Sequence, residues 1–366
     1  MKTENNKKVV FCQVAWMKYY AGNTEDDRPC NGGSYIKENE DGGEVYNFLP
    51  YNHKCYGYVM HQGELHIERF DKTLKNHSET TDVTVVWVAT DGKKSKIVGW
   101  YEHATMYRDW QLLRLYDESE YDYNFVADAE DCYLIDESQR DFVIPRASIV
   151  GKGRGMGQSQ VWYADSEYAQ ENIIPEVLEY LDSMKEKCDW LEYTKEDLSV
   201  RAEDTGLTTE ELLEQAKCAW EEEKFEDAFS LANLAVDNDD IFQTRILRAR
   251  FFAKMWFISE AEEEYKRALS YKEDVNALHD LMAIEIALGN TFLAIEIGKK
   301  ICASNPDNGC RINTMCDLIK VYIEEHQWDE AEKLLPQYKK AGGNKNWANE
   351  KQKKINEMRE EYDSEK

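Results

Sequence analysis

The sequence predicts a two-domain α+β protein, an N-terminal small mixed β-barrel followed by a C-terminal all-α array of helical repeats. Three observations carry this. Residues up to about 165 hold nearly all the glycine-rich turns and most of the tyrosines, with short apolar runs that alternate or are rich in β-branched and aromatic side chains, a strand signature. After Asp165 the apolar residues recur at three- and four-residue steps, the period of a helix packed on one face. From Thr208 onward a small-residue motif returns at spacings of 33, 33 and 37 residues. At roughly 100–200 residues per domain, a chain of 366 residues has room for two or three cores.

The predicted strands are Val9–Met17, Glu44–Phe48, Cys55–Met60, Leu65–Phe70, Val83–Ala89, Lys96–Tyr101, Asn124–Ala127 and Cys132–Ile135. Turn-forming pieces separate them: Asn31-Gly32-Gly33-Ser34, Asp41-Gly42-Gly43 and Asp91-Gly92. Asp91-Gly92 stands between two strong strands and reads as a tight hairpin, because that dipeptide tolerates positive φ. Strands so short and numerous need their edges hidden, which a closed barrel does. In Lys96–Tyr101, simple alternation sends Val98 and Trp100 to one face and Gly99 and Tyr101 to the other, with space beside Gly99 for a flat ligand.

The helical part opens with Ile174, Val177, Leu178, Leu181, Met184 and Cys188, a connecting helix with Pro175 suited to its first turn. Thr208 and Glu211 then form a capping box. Ala228, Ala261, Ala294 and Ala331 occupy equivalent sites, each three residues after a bulky one, where two antiparallel helices cross closely. Ala216 and Ala249, twelve residues before the first two, supply the facing small side chains, whereas Met282 and Ile319 hold those places later. Ala235 and Ala268 follow seven residues after the first two markers, and Pro306 ends the second helix of the third hairpin.

Residues 208–342 on this pattern resemble tetratricopeptide repeats, helix hairpins of about 34 residues that stack into a superhelix and present a groove to a protein or peptide. The expected organisation is a barrel over 1–166, a connecting helix and linker over 167–205, hairpins over 206–343 and a polar capping helix over 344–366.

Composition narrows the function. The longest apolar run, Val85–Ala89, is far short of the ~20 residues a membrane span needs, so no membrane is expected among the partners. Lys7-Lys8 before Val9–Met17 is interrupted by Gln13 and lacks a cleavage site, so secretion is not expected either. Nine scattered cysteines without a Cys-x-x-Cys pair predict a reducing, cytoplasmic setting. Cys30, His53, Cys55 and His61 lack the tight pairing of metal ligands, and neither metal nor cofactor is expected. A net charge of −27, about −8 up to Asp165 and −19 beyond, argues against coating nucleic acid indiscriminately. No catalytic constellation assembles from the seven histidines, so the chain reads as non-enzymatic.

Two features remain. Gly151-Lys152-Gly153-Arg154-Gly155-Met156-Gly157 is neither a dinucleotide fingerprint nor a phosphate loop, yet glycines let the backbone approach a phosphate that Lys152 and Arg154 would neutralise. Trp16, Trp100 and Trp162 lie at strand ends, where they serve either as core or as walls of a stacking pocket. The series Val14–Met17, Gly32–Tyr35, Tyr46–Phe48, Val85–Ala89, Ile97–Tyr101 and Gly157–Tyr163 resembles a bacterial N-terminal module found fused to nucleases and other effectors. That module is similar to the PUA superfamily, especially its EVE-like and YTH-like branches. The resemblance implies a β-barrel that holds an extruded modified base between aromatic rings, with bacterial defence as its setting. On it, Trp16, Tyr35, Trp100, Tyr101 and Trp162 would face the base, Asn47 and Ser159 would bond its edge, and Arg108, Lys152 and Arg154 would hold phosphates. The resulting expectation is an adaptor that reads modified or single-stranded DNA or RNA and recruits a protein through its repeats. The rivals are a scaffold that binds proteins alone and a regulatory subunit of a nuclease or other enzyme.

Overall fold

A computed structural model describes residues 7–31, 43–117, 119–188, 190–191, 193–203, 206–304 and 307–364. Gly32–Tyr35, Asp41-Gly42 and Pro306 lie outside the described residues. The chain divides into two units, Met1–Leu115 with Ser119–Glu192, and Tyr116–Glu118 with Tyr193–Lys366.

The first unit is built on a seven-stranded mixed sheet: β1 (Lys8–Val14), β2 (Lys54–Gly57), β3 (Glu79–Thr90), β4 (Ser95–Arg114), β5 (Glu120–Asp128), β6 (Cys132–Leu134) and β7 (Val161–Trp162). Its order is β2-β5-β4-β3-β1-β7, with β6 also paired to β4. β1 runs parallel to β3, and the other ladders are antiparallel. The expected barrel does not close, since among the described residues no ladder joins β2 to β7. Covering does the work that closure would have done. One face of the sheet packs Tyr20, Val45, Phe48, Leu65 and Ile67 from the intervening loops against Val85, Trp87 and Tyr101. The opposite face lies under α1 (Ile174–Met184), whose Ile174, Val177 and Leu181 meet Phe11, Val86, Val88 and Trp100. Both edge strands are very short, which limits exposed backbone.

Two predicted strands hold single turns of 3-10 helix instead, Gly43–Tyr46 overlapping Glu44–Phe48 and Ile67–Arg69 within Leu65–Phe70. Their apolar residues Val45, Phe48, Leu65 and Ile67 are buried one by one from loops, so alternation here reflects burial without a ladder. The Asp91-Gly92 hairpin forms, with Asp91 Oδ1 accepting from the amides of Lys93 (2.9 Å) and Lys94 (2.8 Å).

Alternation in β4 fails at a bulge. Trp87 faces Gly99 and Val88 faces Ile97, so β4 has an additional residue there. Val98 and Tyr101 therefore enter one core, while Ile97 and Trp100 enter the other. The space beside Gly99 is taken, because a Cβ there would stand 2.5 Å from Cζ of Phe48.

The second unit is a run of helices: α2 (Thr209–Glu221), α3 (Phe225–Asn238), α4 (Phe242–Lys254), α5 (Ile258–Tyr271), α6 (Val275–Ala287), α7 (Thr291–Ala303), α8 (Asn308–Glu324), α9 (Trp328–Lys340) and α10 (Lys345–Ser364). The Thr208–Glu211 capping box is present. Four hairpins share one connection. The second residue after each first helix is left-handed, Glu223 (φ 60°), Trp256 (62°), Gly289 (75°) and His326 (55°). The next amide donates to the carbonyl five residues back, Lys224 to Ala219 (2.9 Å), Phe257 to Phe252 (2.9 Å), Asn290 to Glu285 (2.8 Å) and Gln327 to Tyr322 (2.8 Å). Ala216, Ala228, Ala249, Ala261, Ala294 and Ala331 are all fully buried, as close crossings require. Met282 and Ile319 are buried too. Gly298 of α7 lets Leu318 of α8 approach closely, since a Cβ there would stand 2.7 Å from it. α10 covers the far end, with Trp347 on Tyr338 and Arg359 bonded to Asp329 (3.0 Å). No helix among the described residues is long and apolar enough to cross a membrane.

Two substitutions test this architecture in the full chain. Ala261→Leu overpacks a helix crossing and is expected to cost roughly 1–3 kcal/mol by denaturant titration. Glu223→Gly relieves a left-handed, exposed non-glycine residue. Its expected gain of about 0.5–1 kcal/mol is what remains after glycine's added chain entropy.

Candidate functional site

The repeat period that aligns the hairpins also aligns charges on their first helices. Lys217, Arg250 and Lys320 occupy equivalent positions, with Ala283 standing in the third hairpin. Glu214, Asp280 and Asp317 occupy another equivalent set, with Leu247 in the second hairpin. The first helices line one face: α2 touches α4 and α6 touches α8. Ion pairs continue the link. Lys217 meets Glu214 at 3.6 Å, Arg250 reaches across to Asp280 at 3.6 Å, and Lys320 meets Asp317 at 3.6 Å. His279 approaches Asp317 at 3.4 Å. Tyr265 donates its hydroxyl to Asp280 (3.1 Å), and burial first, then the Asp280 carboxylate, push that phenol well above its ordinary value. The result is a ladder of alternating sign whose cations stay partly exposed. Such a surface can align a polar, extended chain.

This ladder was readable from the sequence but is absent from the expected sites. The period of the alanines carries the cations as well.

The residues expected to hold a base are dispersed. Trp100 is fully buried, stacked on Tyr133 (4.6 Å between centroids, 13° between planes), with its indole N–H on Glu102 (3.3 Å). Tyr101 is fully buried in the opposite core, edge-on to Trp87 and Phe48, and its hydroxyl donates to the carbonyl of Asn47. The Asn47 side chain is spent on the backbone of Tyr58, donating to its carbonyl (3.1 Å) and accepting from its amide (2.8 Å). Arg108 is buried and donates to the carbonyls of His77, Leu74 and Lys75 and to Glu68 (2.9 Å). These four side chains therefore serve the fold.

Trp16 is half-buried, with its indole N–H on Glu137 (2.9 Å) and the Arg140 guanidinium 5.1 Å from its ring. Trp162 is half-buried against Phe11 (4.9 Å). Ser159, Lys152 and Arg154 are exposed, and the Arg154 guanidinium lies 4.8 Å over the ring of Tyr168. Tyr35 lies outside the described residues. Trp100 and Tyr101 belong to opposite cores, so these rings do not converge on one pocket. Among the described residues no three His, Cys, Asp or Glu side chains are grouped to hold a metal ion.

No family model and no curated protein matches this sequence. Among solved structures the chain is similar to YrrB, described as a TPR protein with an unusual peptide-binding site, at 15% identity over 36% of this chain and 66% of that one, just under two thirds, with a TM-score of 0.32. It is similar to MamA at 21% identity over 40% of this chain and 81% of that one, with a TM-score of 0.33. It is also similar to a thermophilic TPR protein of Thermus thermophilus, at 17% identity over 36% and 73%, with a TM-score of 0.29.

The burial of Trp100 sets a clear expectation. Trp100→Ala should cost about 3–5 kcal/mol of folding stability, because it opens a cavity under α1. Urea titration of the full chain checks this, and a fully stable variant would return the ring to a pocket wall.

Proposed function

We propose that this chain is a non-enzymatic adaptor whose helical repeats seat an extended segment of a protein partner along the face of their first helices. The observation that carries the reading is the ladder of Lys217, Arg250 and Lys320 against Glu214, Asp280 and Asp317, repeated in phase with the hairpins. Pairs of this length on a partly exposed surface contribute little to stability, about 0–1 kcal/mol each. Exchanging them for contacts to a ligand therefore costs the fold little. A segment carrying both signs at matching intervals would satisfy the face, and wrong partners would meet like charge.

Reading of modified or single-stranded nucleic acid is the second proposal. It is supported by the exposed Lys152, Arg154 and Ser159 and by the half-buried Trp16 and Trp162, while Trp100, Tyr101, Asn47 and Arg108 are committed to packing.

A photo-crosslinking residue at position 283, in the middle of the ladder, tests the first reading in cells. A discrete protein adduct is expected, reduced about tenfold when Arg250→Glu and Lys320→Glu are combined. An adduct pattern indifferent to that double reversal would remove the ladder from recognition.

A further inference from the structure

Residues 146–155 form a compact projection on the sheet unit, made of a single helical turn, Ala147–Val150, and the glycine segment after it. Its base is tightly built. The amide of Ala147 donates to the carbonyl of Met156 (2.9 Å), and that of Met156 to the carbonyl of Pro145 (2.8 Å). A Cβ at Gly155 would stand 2.3 Å from the Pro145 carbonyl oxygen, and Gly151 has φ +100°, so glycine is required at both. Ser166 donates its hydroxyl to the carbonyl of Gly153. Arg146 anchors the entry, donating to Gln13 (2.9 Å).

What this rigid base presents is unusual for so acidic a chain. Ile149 is 83% exposed, the highest value among the exposed large apolar side chains described, and Val150 beside it is exposed as well. Lys152 and Arg154 follow immediately, both exposed, with Arg154 spread over the exposed ring of Tyr168. Two neighbouring aliphatic side chains held in water beside two cations make a small amphipathic patch.

We propose that this projection docks on an anionic lipid surface, with Ile149 and Val150 entering the boundary between headgroups and acyl chains while Lys152 and Arg154 meet the phosphates. A lipid interface rewards both halves of the patch at once. Nucleic acid would use the cations and the Tyr168 ring but would gain nothing from an exposed isoleucine, so it leaves Ile149 and Val150 unexplained. The net charge of −27 does not forbid contact, because charges more than about 8 Å from the surface are screened at physiological salt. Glu167, exposed beside Tyr168 in the chain, opposes it locally. Two cations and two aliphatic side chains would give weak, reversible association, a peripheral contact that departs from the expectation drawn from the sequence that no membrane is a partner.

Flotation of the full chain with phosphatidylcholine vesicles containing about one-third phosphatidylserine tests this, with pure phosphatidylcholine as the comparison. The chain should float with the anionic vesicles, less so as salt rises. Ile149→Asp should lower binding about tenfold or more, Lys152→Glu with Arg154→Glu about as much, and Glu167→Gln should raise it a few-fold. All four positions are exposed, and circular dichroism confirms that the variants fold. Absence of flotation at millimolar lipid overturns the proposal. So does binding that survives Ile149→Asp. A parallel titration with a single-stranded oligonucleotide decides the cations' role: binding lost on the double reversal but unchanged by Ile149→Asp would assign them to nucleic acid and overturn the lipid contact.

Discussion

Between Trp87 and Val88 of β3, β4 carries one additional residue, and that local excess governs how the sheet unit is filled. On one side of the bulge Val98 and Tyr101 join Trp87, and on the other Ile97 and Trp100 join the core beneath α1. A central hairpin with large aromatic side chains on both faces has to be covered on both faces. Loops supply one cover and α1 the other, and once both are in place closure into a barrel has nothing left to bury. The consequence reaches the candidate site. Tyr101, Asn47 and Arg108 are tied to backbone carbonyls and amides that hold the covering loops in place. A base-binding pocket built from these side chains would have to be taken out of the material that keeps the loops on the sheet.

In the helical unit the controlling element is the turn. A left-handed residue followed by a return hydrogen bond fixes the phase between the two helices of each hairpin, and it does so four times. Equal phase brings residues one repeat apart onto one face, which is how scattered cations become a ladder. The same phase shows where the stacking stops. Phe251 of α4 stacks on Trp220 (4.4 Å) and Phe252 packs on Phe229 (4.8 Å), whereas Cys218 and Ala219 hold the equivalent places in the first hairpin. Phe225 of the first hairpin packs instead on Trp220 (4.8 Å) and on Tyr193 (6.1 Å). An open cleft there is lined by Ala202, Gln215, Cys218, Ala219, Lys224 and Leu231. Part of the hairpin is covered by residues 198–202, where the Asn233 amide donates to the carbonyls of Leu198 (2.9 Å) and Val200 (2.8 Å).

Legibility followed the range of the forces involved. The helices were readable because caps, turns and small residues at crossings act within one repeat, and four copies show the same solution. The strands of the central hairpin were readable from β-branched runs, but their register was not. The bulge at Val98 is settled by what Trp87 and Trp100 pack against, Phe125 for the one and Tyr133 for the other, both distant in sequence. Val45 and Ile67 alternate with polar neighbours as strand residues do, yet each is buried from a loop, so alternation reported burial and not pairing. The assignment of Trp100 as a pocket wall failed for the same reason: an aromatic ring at a strand end looks the same in sequence whether α1 covers it or solvent does. The cations of the glycine segment stand out in the sequence of so acidic a chain, whereas Ile149 and Val150 do not, because two aliphatic residues carry no periodicity.

The charges of the array divide into two kinds, and the division bears on what the first-helix face is for. Arg245 is buried and held by Asp240 (2.6 Å) and Glu264 (3.0 Å), and Glu264 also takes Arg248 (2.6 Å). Leu212, Leu278 and Met315 occupy the equivalent positions in the other hairpins, so this network belongs to the second hairpin alone. Arg248 extends it to Asn233 (3.1 Å) and so to the covering segment. Removing one member of a buried set leaves an uncompensated charge, so such a network fixes how the first two hairpins seat on each other and cannot be lent to a ligand. The ladder pairs are longer, lie on a face that recurs with the repeat, and stay partly in water. Short buried pairs therefore hold the stacking while long exposed ones remain exchangeable, and a scaffold needs both: a frame that does not shift when its recognition charges change partners.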